Sequence, residues 1–92
     1  MKALIIRYLL KKSSVKEKTR IQRLLYGYKD HSNRGAYNYQ RKGLMSDIKY
    51  RKIDQRVLLI LESEKDSIIS ILKENNAEIE IIPVIVKSSV FK

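Results

Sequence analysis

The sequence has no cysteine, no tryptophan, one proline, three glycines and one histidine in 92 residues. Without cysteine there can be no disulfide staples, thiolate zinc sites or thiol nucleophiles. The glycines stand apart at positions 27, 35 and 43, so neither common phosphate-binding glycine loop can be written on the chain. The single histidine, His31, is flanked by Asp30 and Ser32, and neighbours in one loop do not build a catalytic triad. Asp30, Asp47 and Asp54 are too scattered to suggest a metal site. No catalytic residue, metal or cofactor is therefore assigned. No apolar run approaches the roughly 20 residues of a membrane span. Arg7 interrupts the apolar start of the chain where a signal peptide would need its apolar region, so a cytoplasmic protein without a membrane partner is expected.

What is present is a core and a charge. The hydrophobic fraction is 43%, rich in Ile, Leu and Val, enough to support one domain over residues 1–86 with a flexible tail at 87–92. The Lys- and Ile-rich composition is compatible with a thermophile. The formal net charge of +10 is unevenly divided. Residues 1–52 hold 15 Lys and Arg against only Glu17, Asp30 and Asp47, a balance of +12. Residues 53–92 hold five against seven, a balance of −2. Such a block sets up a positive field over part of the surface, which attracts polyanions and speeds their association.

The residue pattern predicts a strand over 3–10. Ser14 with Glu17 three residues on forms a capping box that opens a helix, and Gly27 ends it. Ile21, Leu24, Leu25 and Tyr28 share its core face, leaving Lys16, Arg20 and Arg23 with Tyr26 on the other. A polar loop is expected from Gly27 to Gly35, a strand from Tyr37 to Lys42, and a connection over Gly43 to Asp47. Ile53 to Leu61 reads as one long strand, Ser63 with Asp66 as the cap of a second helix, and Ile79 to Val86 as an edge strand marked by Pro83. The order β-α-β-β-α-β is met by an α+β, ferredoxin-like arrangement: a four-stranded antiparallel sheet with two helices on one face. The uncovered face would then present Ile5 and Arg7 beside Leu58 and Ile60, an apolar surface expected to join copies into a homodimer or larger homo-oligomer.

Residues 26–52 contain five of the six tyrosines, interleaved with Lys and Arg. A tyrosine ring can stack on a base while its hydroxyl stays wet, and a guanidinium can pair with phosphate. The expected nucleic-acid-binding set is Lys16, Arg20, Arg23, Tyr26, Arg34, Tyr37, Tyr39, Arg41, Lys42, Arg51 and Lys52. Mixed aromatic and basic residues suit RNA, or single-stranded and irregular DNA, better than a regular duplex groove. Two other readings fit the same charge: a small nuclease acting on phosphodiesters, and an interaction module for an acidic protein.

The runs Tyr37-x-Tyr39-x-Arg41-Lys42-Gly43-Leu44 and Ile48-x-Tyr50-x-Lys52-Ile53, together with the element order, resemble small uncharacterised archaeal proteins of this size. That resemblance implies the fold and carries no activity. RNA-recognition-motif domains share the plan, but Arg56, Leu58 and Ile60 stand where their aromatic platform would lie. The CRISPR-associated ferredoxin-like nucleases are similar in size, yet Leu9-Leu10-Lys11-Lys12 occupies the end of the first strand, where they carry an acidic residue.

Overall fold

The computed structural model describes residues 1–32 and 37–91, with side-chain surroundings for residues 1–29 and 40–91. Strand β1, Lys2–Leu9, runs through the middle of the molecule, and its burial alternates from Leu4 onward, with Ala3 buried as well. Leu4, Ile6 and Tyr8 point to one side and are at most 5% exposed. On that side lie both long helices: α1, Val15–Tyr26, and α2, Lys65–Glu74. Ile21 and Leu25 of α1 join Ile68 and Leu72 of α2 and the β1 residues in one buried cluster. Burying side chains of this size stabilises by about 1.5–3 kcal/mol each.

The capping box opens α1 as expected: Ser14 Oγ accepts from the Glu17 N–H at 3.1 Å, and Glu17 Oε1 accepts from the Ser14 N–H at 2.8 Å. Gly27 closes the helix with φ 81°, in the left-handed region that favours glycine. The chain then departs from the expected polar loop. Strand β2, Tyr28–Ser32, pairs antiparallel with β3, Tyr37–Arg41, in a two-stranded ribbon separate from the main sheet. The segment Tyr37 to Lys42 is thus a strand, but of this ribbon. The ribbon's stem is pinched by two glycines. A β-carbon on Gly27 would overlap the Arg41 carbonyl, and one on Gly43 would overlap the Leu25 carbonyl.

A 3-10 turn at Leu44–Asp47 buries Met45 and leads into β4, Tyr50–Asp54. The long strand expected over Ile53 to Leu61 is cut by a turn at Gln55 and Arg56, after which β5 spans Val57–Leu61. Asp54 Oδ1 accepts from the Gln55 N–H at 2.7 Å, a local bond that competes with continued extension. Ile53, expected to be in a core strand, sits at a register shift and is 52% exposed. The sheet order is β4-β5-β1-β6, all antiparallel, where β6 spans Glu78–Ile85. Pro83 lies in this edge strand, where a missing N–H is tolerated. The molecule is α+β, with a four-stranded antiparallel sheet and two helices, an arrangement compatible with the ferredoxin-like plan.

Two further expectations are corrected. Leu58 and Ile60 do not face outward: β1 and β5 pair Ile6 with Leu58 and Leu4 with Ile60, so both are fully buried under the helices. The residues beside Ile5 and Arg7 on the other face are Val57, Leu59 and Leu61, because a one-residue error in strand phase exchanges the two faces. A 3-10 turn at Glu62–Glu64 precedes α2, whose N-cap is Glu64 with no side-chain bond, rather than Ser63. Beyond β6, Ser88–Phe91 forms a 3-10 turn that approaches β4. No helix among the described residues is long and apolar enough to cross a membrane.

Candidate nucleic-acid interface

Helix α1 needs only Ile21 and Leu25 to bind it to the core, which leaves most of its circumference in solvent. Lys16, Arg20 and Arg23, at spacings of four and three, line one exposed stripe. The first residue of the ribbon, Tyr28, stands beside them, and the two elements enclose a groove of about 450 Å³. Across it the Arg23 guanidinium lies 4.6 Å from the Tyr28 ring centre. A cation over an aromatic face at an exposed site is worth about 0.5–1 kcal/mol, enough to bias both side chains toward one arrangement. Val15, 80% exposed, and Leu24, 43% exposed, supply apolar walls. Leu24, which its periodicity assigns to the core face of α1, lines this groove instead.

Arg20 has a structural task as well. Its guanidinium donates to Asn75 Oδ1 at 3.3 Å. Asn75 is buried at the end of α2, where its side-chain amide donates to the Ile71 carbonyl at 2.7 Å and its backbone carbonyl accepts from Ser13 Oγ at 2.7 Å. This knot ties the start of α1 to the end of α2. Arg20 therefore offers less free charge to the groove than Lys16 or Arg23.

The other expected residues are dispersed. Tyr26 does not stand among the exposed cations of α1. Its ring is partly buried, and its hydroxyl is enclosed beside Tyr8 and Tyr50, meeting the Tyr8 hydroxyl without completing a hydrogen bond. Burial, followed by these phenol neighbours, raises its pKa far above the ordinary value, and burial raises that of Tyr8 as well. Both remain protonated near neutral pH, and the Tyr26 ring is not free to stack on a base. Its outer face is covered by Lys52, whose ammonium lies 5.0 Å from the ring centre. Arg51 is opposite Leu59 in register and belongs to the sheet face away from the helices. Arg41 and Lys42 are exposed where the ribbon returns to the domain. Tyr37 and Tyr39 lie in β3 opposite Ser32 and Asp30 in register, and Arg34 falls outside the described residues.

Toward the end of β1 two cations meet acids of β6: Arg7 lies 3.7 Å from Glu80, and Lys12, just beyond the strand, lies 3.3 Å from Glu78. The acidic residues of β6 thus offset the end of β1 and leave the α1 groove alone. Among the described residues, no group of three or more His, Cys, Asp or Glu side chains is placed to hold a metal ion. Sequence reasoning missed Lys18 and Arg56, which the fold brings together at the end of the sheet. The available signal for Arg56 was Asp54-Gln55-Arg56, a polar triplet just before the apolar run Val57 to Leu61. Comparison of the chain with family models, curated proteins and solved structures gives no match in any of the three.

Proposed function

We propose that this protein binds nucleic acid, RNA or single-stranded and irregular DNA, along the groove between α1 and the β2–β3 ribbon. The observation that carries this reading is the groove itself: Lys16, Arg20 and Arg23 line it together with Tyr28, with no carboxylate among its lining residues. We read the scaffold as ferredoxin-like with the ribbon inserted after the first helix, so that the insertion and the helix form the two walls. Lys16 and Arg23 pair with backbone phosphates. The exposed cations Arg41 and Lys42 continue the path along the ribbon, where Tyr37 and Tyr39 are the candidates for stacking on bases.

Fluorescence anisotropy with a labelled single strand over a range of salt concentrations tests the reading. Two to three phosphate contacts predict a slope of log affinity against log salt of about −1.4 to −2.1. Absence of binding to any polynucleotide at low salt would overturn it.

A further inference from the structure

A second basic depression lies at the opposite flank of α1, where β1 ends and β4 turns into β5. It has a volume of about 340 Å³ and is more enclosed than the α1 groove. Its cations come from three separate elements: Lys18 from α1, Lys52 from β4 and Arg56 from the β4–β5 turn. Gln22 and Gln55 add amide donors, and Tyr8 lies at its base. No Asp or Glu lines it. The nearest acids in sequence stay out of its lining: Asp54 accepts from the Gln55 N–H, and Glu17 accepts from the Ser14 N–H and the Asn76 amide.

We propose that this cleft is a phosphomonoester site, and that its phosphomonoester is the terminal phosphate of the strand bound in the α1 groove. The inference rests on the nucleic-acid reading for that source. Three like charges brought together by tertiary structure, without a carboxylate among them, repel one another until an anion arrives. A terminal monoester carries about 1.5 to 2 negative charges at pH 7, against one for an internal diester, and has three acceptor oxygens. The donor set matches it. Arg56 can offer a two-pronged guanidinium, and the two lysines act as point charges. The Lys52 ammonium is held before a ligand binds, over the Tyr26 ring, and the backbone that carries Arg56 is fixed where its carbonyl accepts from the Tyr8 N–H at 3.0 Å. The Arg56 charge also reaches the Tyr8 phenol, where it works against the upward shift caused by burial. Tyr8, alone of the tyrosine cluster, lines the cleft itself.

The experiment compares one single-stranded oligonucleotide carrying a 5′-phosphate, a 3′-phosphate or hydroxyls at both ends, with a nucleoside monophosphate and inorganic phosphate as competitors. A phosphate at one end should tighten binding about tenfold, the size expected for one well-placed charged hydrogen-bonding group. Lys18→Gln and Arg56→Gln should each remove most of that gain and leave the hydroxyl-ended strand within about twofold, since both residues are exposed. Lys16→Gln in the other groove should weaken all three strands alike. Unchanged melting temperatures would show that the variants fold. Equal affinity for all three ends would overturn the phosphomonoester site while leaving the groove reading intact. A monophosphate that binds as tightly as the phosphorylated strand would keep the chemistry and reassign its source to a free nucleotide. Binding of none of these probes would remove both readings.

Discussion

Helices α1 and α2 do the same packing work with different outer surfaces. Each contributes two fully or nearly fully buried residues to the shared core, Ile21 and Leu25 from α1, Ile68 and Leu72 from α2. Their outward charges differ. Residues 15–26 carry Lys16, Lys18, Arg20 and Arg23 against Glu17, whereas 65–74 pair Lys65 and Lys73 with Asp66 and Glu74. A core stripe leaves the opposite face unconstrained, so the balanced face of α2 is what stability and solubility alone require. The unbalanced face of α1 is the one that asks for another explanation. Both basic depressions use α1, one on each flank, and neither uses α2.

The largest expected effects test the equivalence of the two helices. Leu25→Ala and Leu72→Ala should each lower stability by about 2–5 kcal/mol, measured by denaturant unfolding, because each leaves a cavity in the same core. Similar losses support the comparison, and a loss confined to one helix would break it. Leu58→Lys should go further and abolish folding, because it places a charge without a partner between β1 and the helices. A folded but monomeric Leu58→Lys protein would contradict the observed register.

Binding sharpens the difference. Arg23→Gln should reduce the slope of log affinity against log salt by about 0.7 for a single strand, and Lys73→Gln should leave it unchanged. Equal effects would place the interface elsewhere. Tyr26→Phe should leave binding intact and raise stability by about 1 kcal/mol, since it removes a buried hydroxyl that lacks a partner. A specific loss of binding would return Tyr26 to the interface.

The smallest effect concerns the cap that only α1 possesses. The Ser14 N–H, then the Ser14 hydroxyl and the Asn76 amide, hold the Glu17 carboxyl below its ordinary value. Its contribution is therefore present above the unfolded carboxyl range and is lost as pH falls through the lowered native value. Melting temperature should decline between about pH 5 and pH 3 by less in Glu17→Gln than in the parent protein. Identical acid profiles would show that the capping carboxylate adds nothing to stability.

Much of the architecture was legible because it depends on local pattern. The capping box at Ser14 and Glu17, the stop at Gly27, the burial of Leu4, Ile6 and Tyr8, and the edge position of Pro83 each follow from neighbouring residues and a known period. The β2–β3 ribbon was not legible. Tyr28 to Ser32 is polar, and its pairing with Tyr37 to Arg41 depends on the backbone crossing that Gly27 and Gly43 allow. The facing of β5 was hidden for a related reason. Val57 to Leu61 is apolar at every position, so nothing in its own order says which side is inward.

What the sequence determined by itself was the α+β class, the basic excess of residues 1–52 and the cationic stripe of α1, since composition and helical period do not depend on distant partners. Tertiary structure decided the rest. The β1–β5 register buried Leu58 and Ile60, packing against Tyr8 and Tyr50 withdrew Tyr26, and the hairpin turn carried Arg56 to Lys18 across 38 residues of chain. A cation's identity is local. Which other cations it meets depends on strand pairing between distant segments, and no single stretch of chain encodes that.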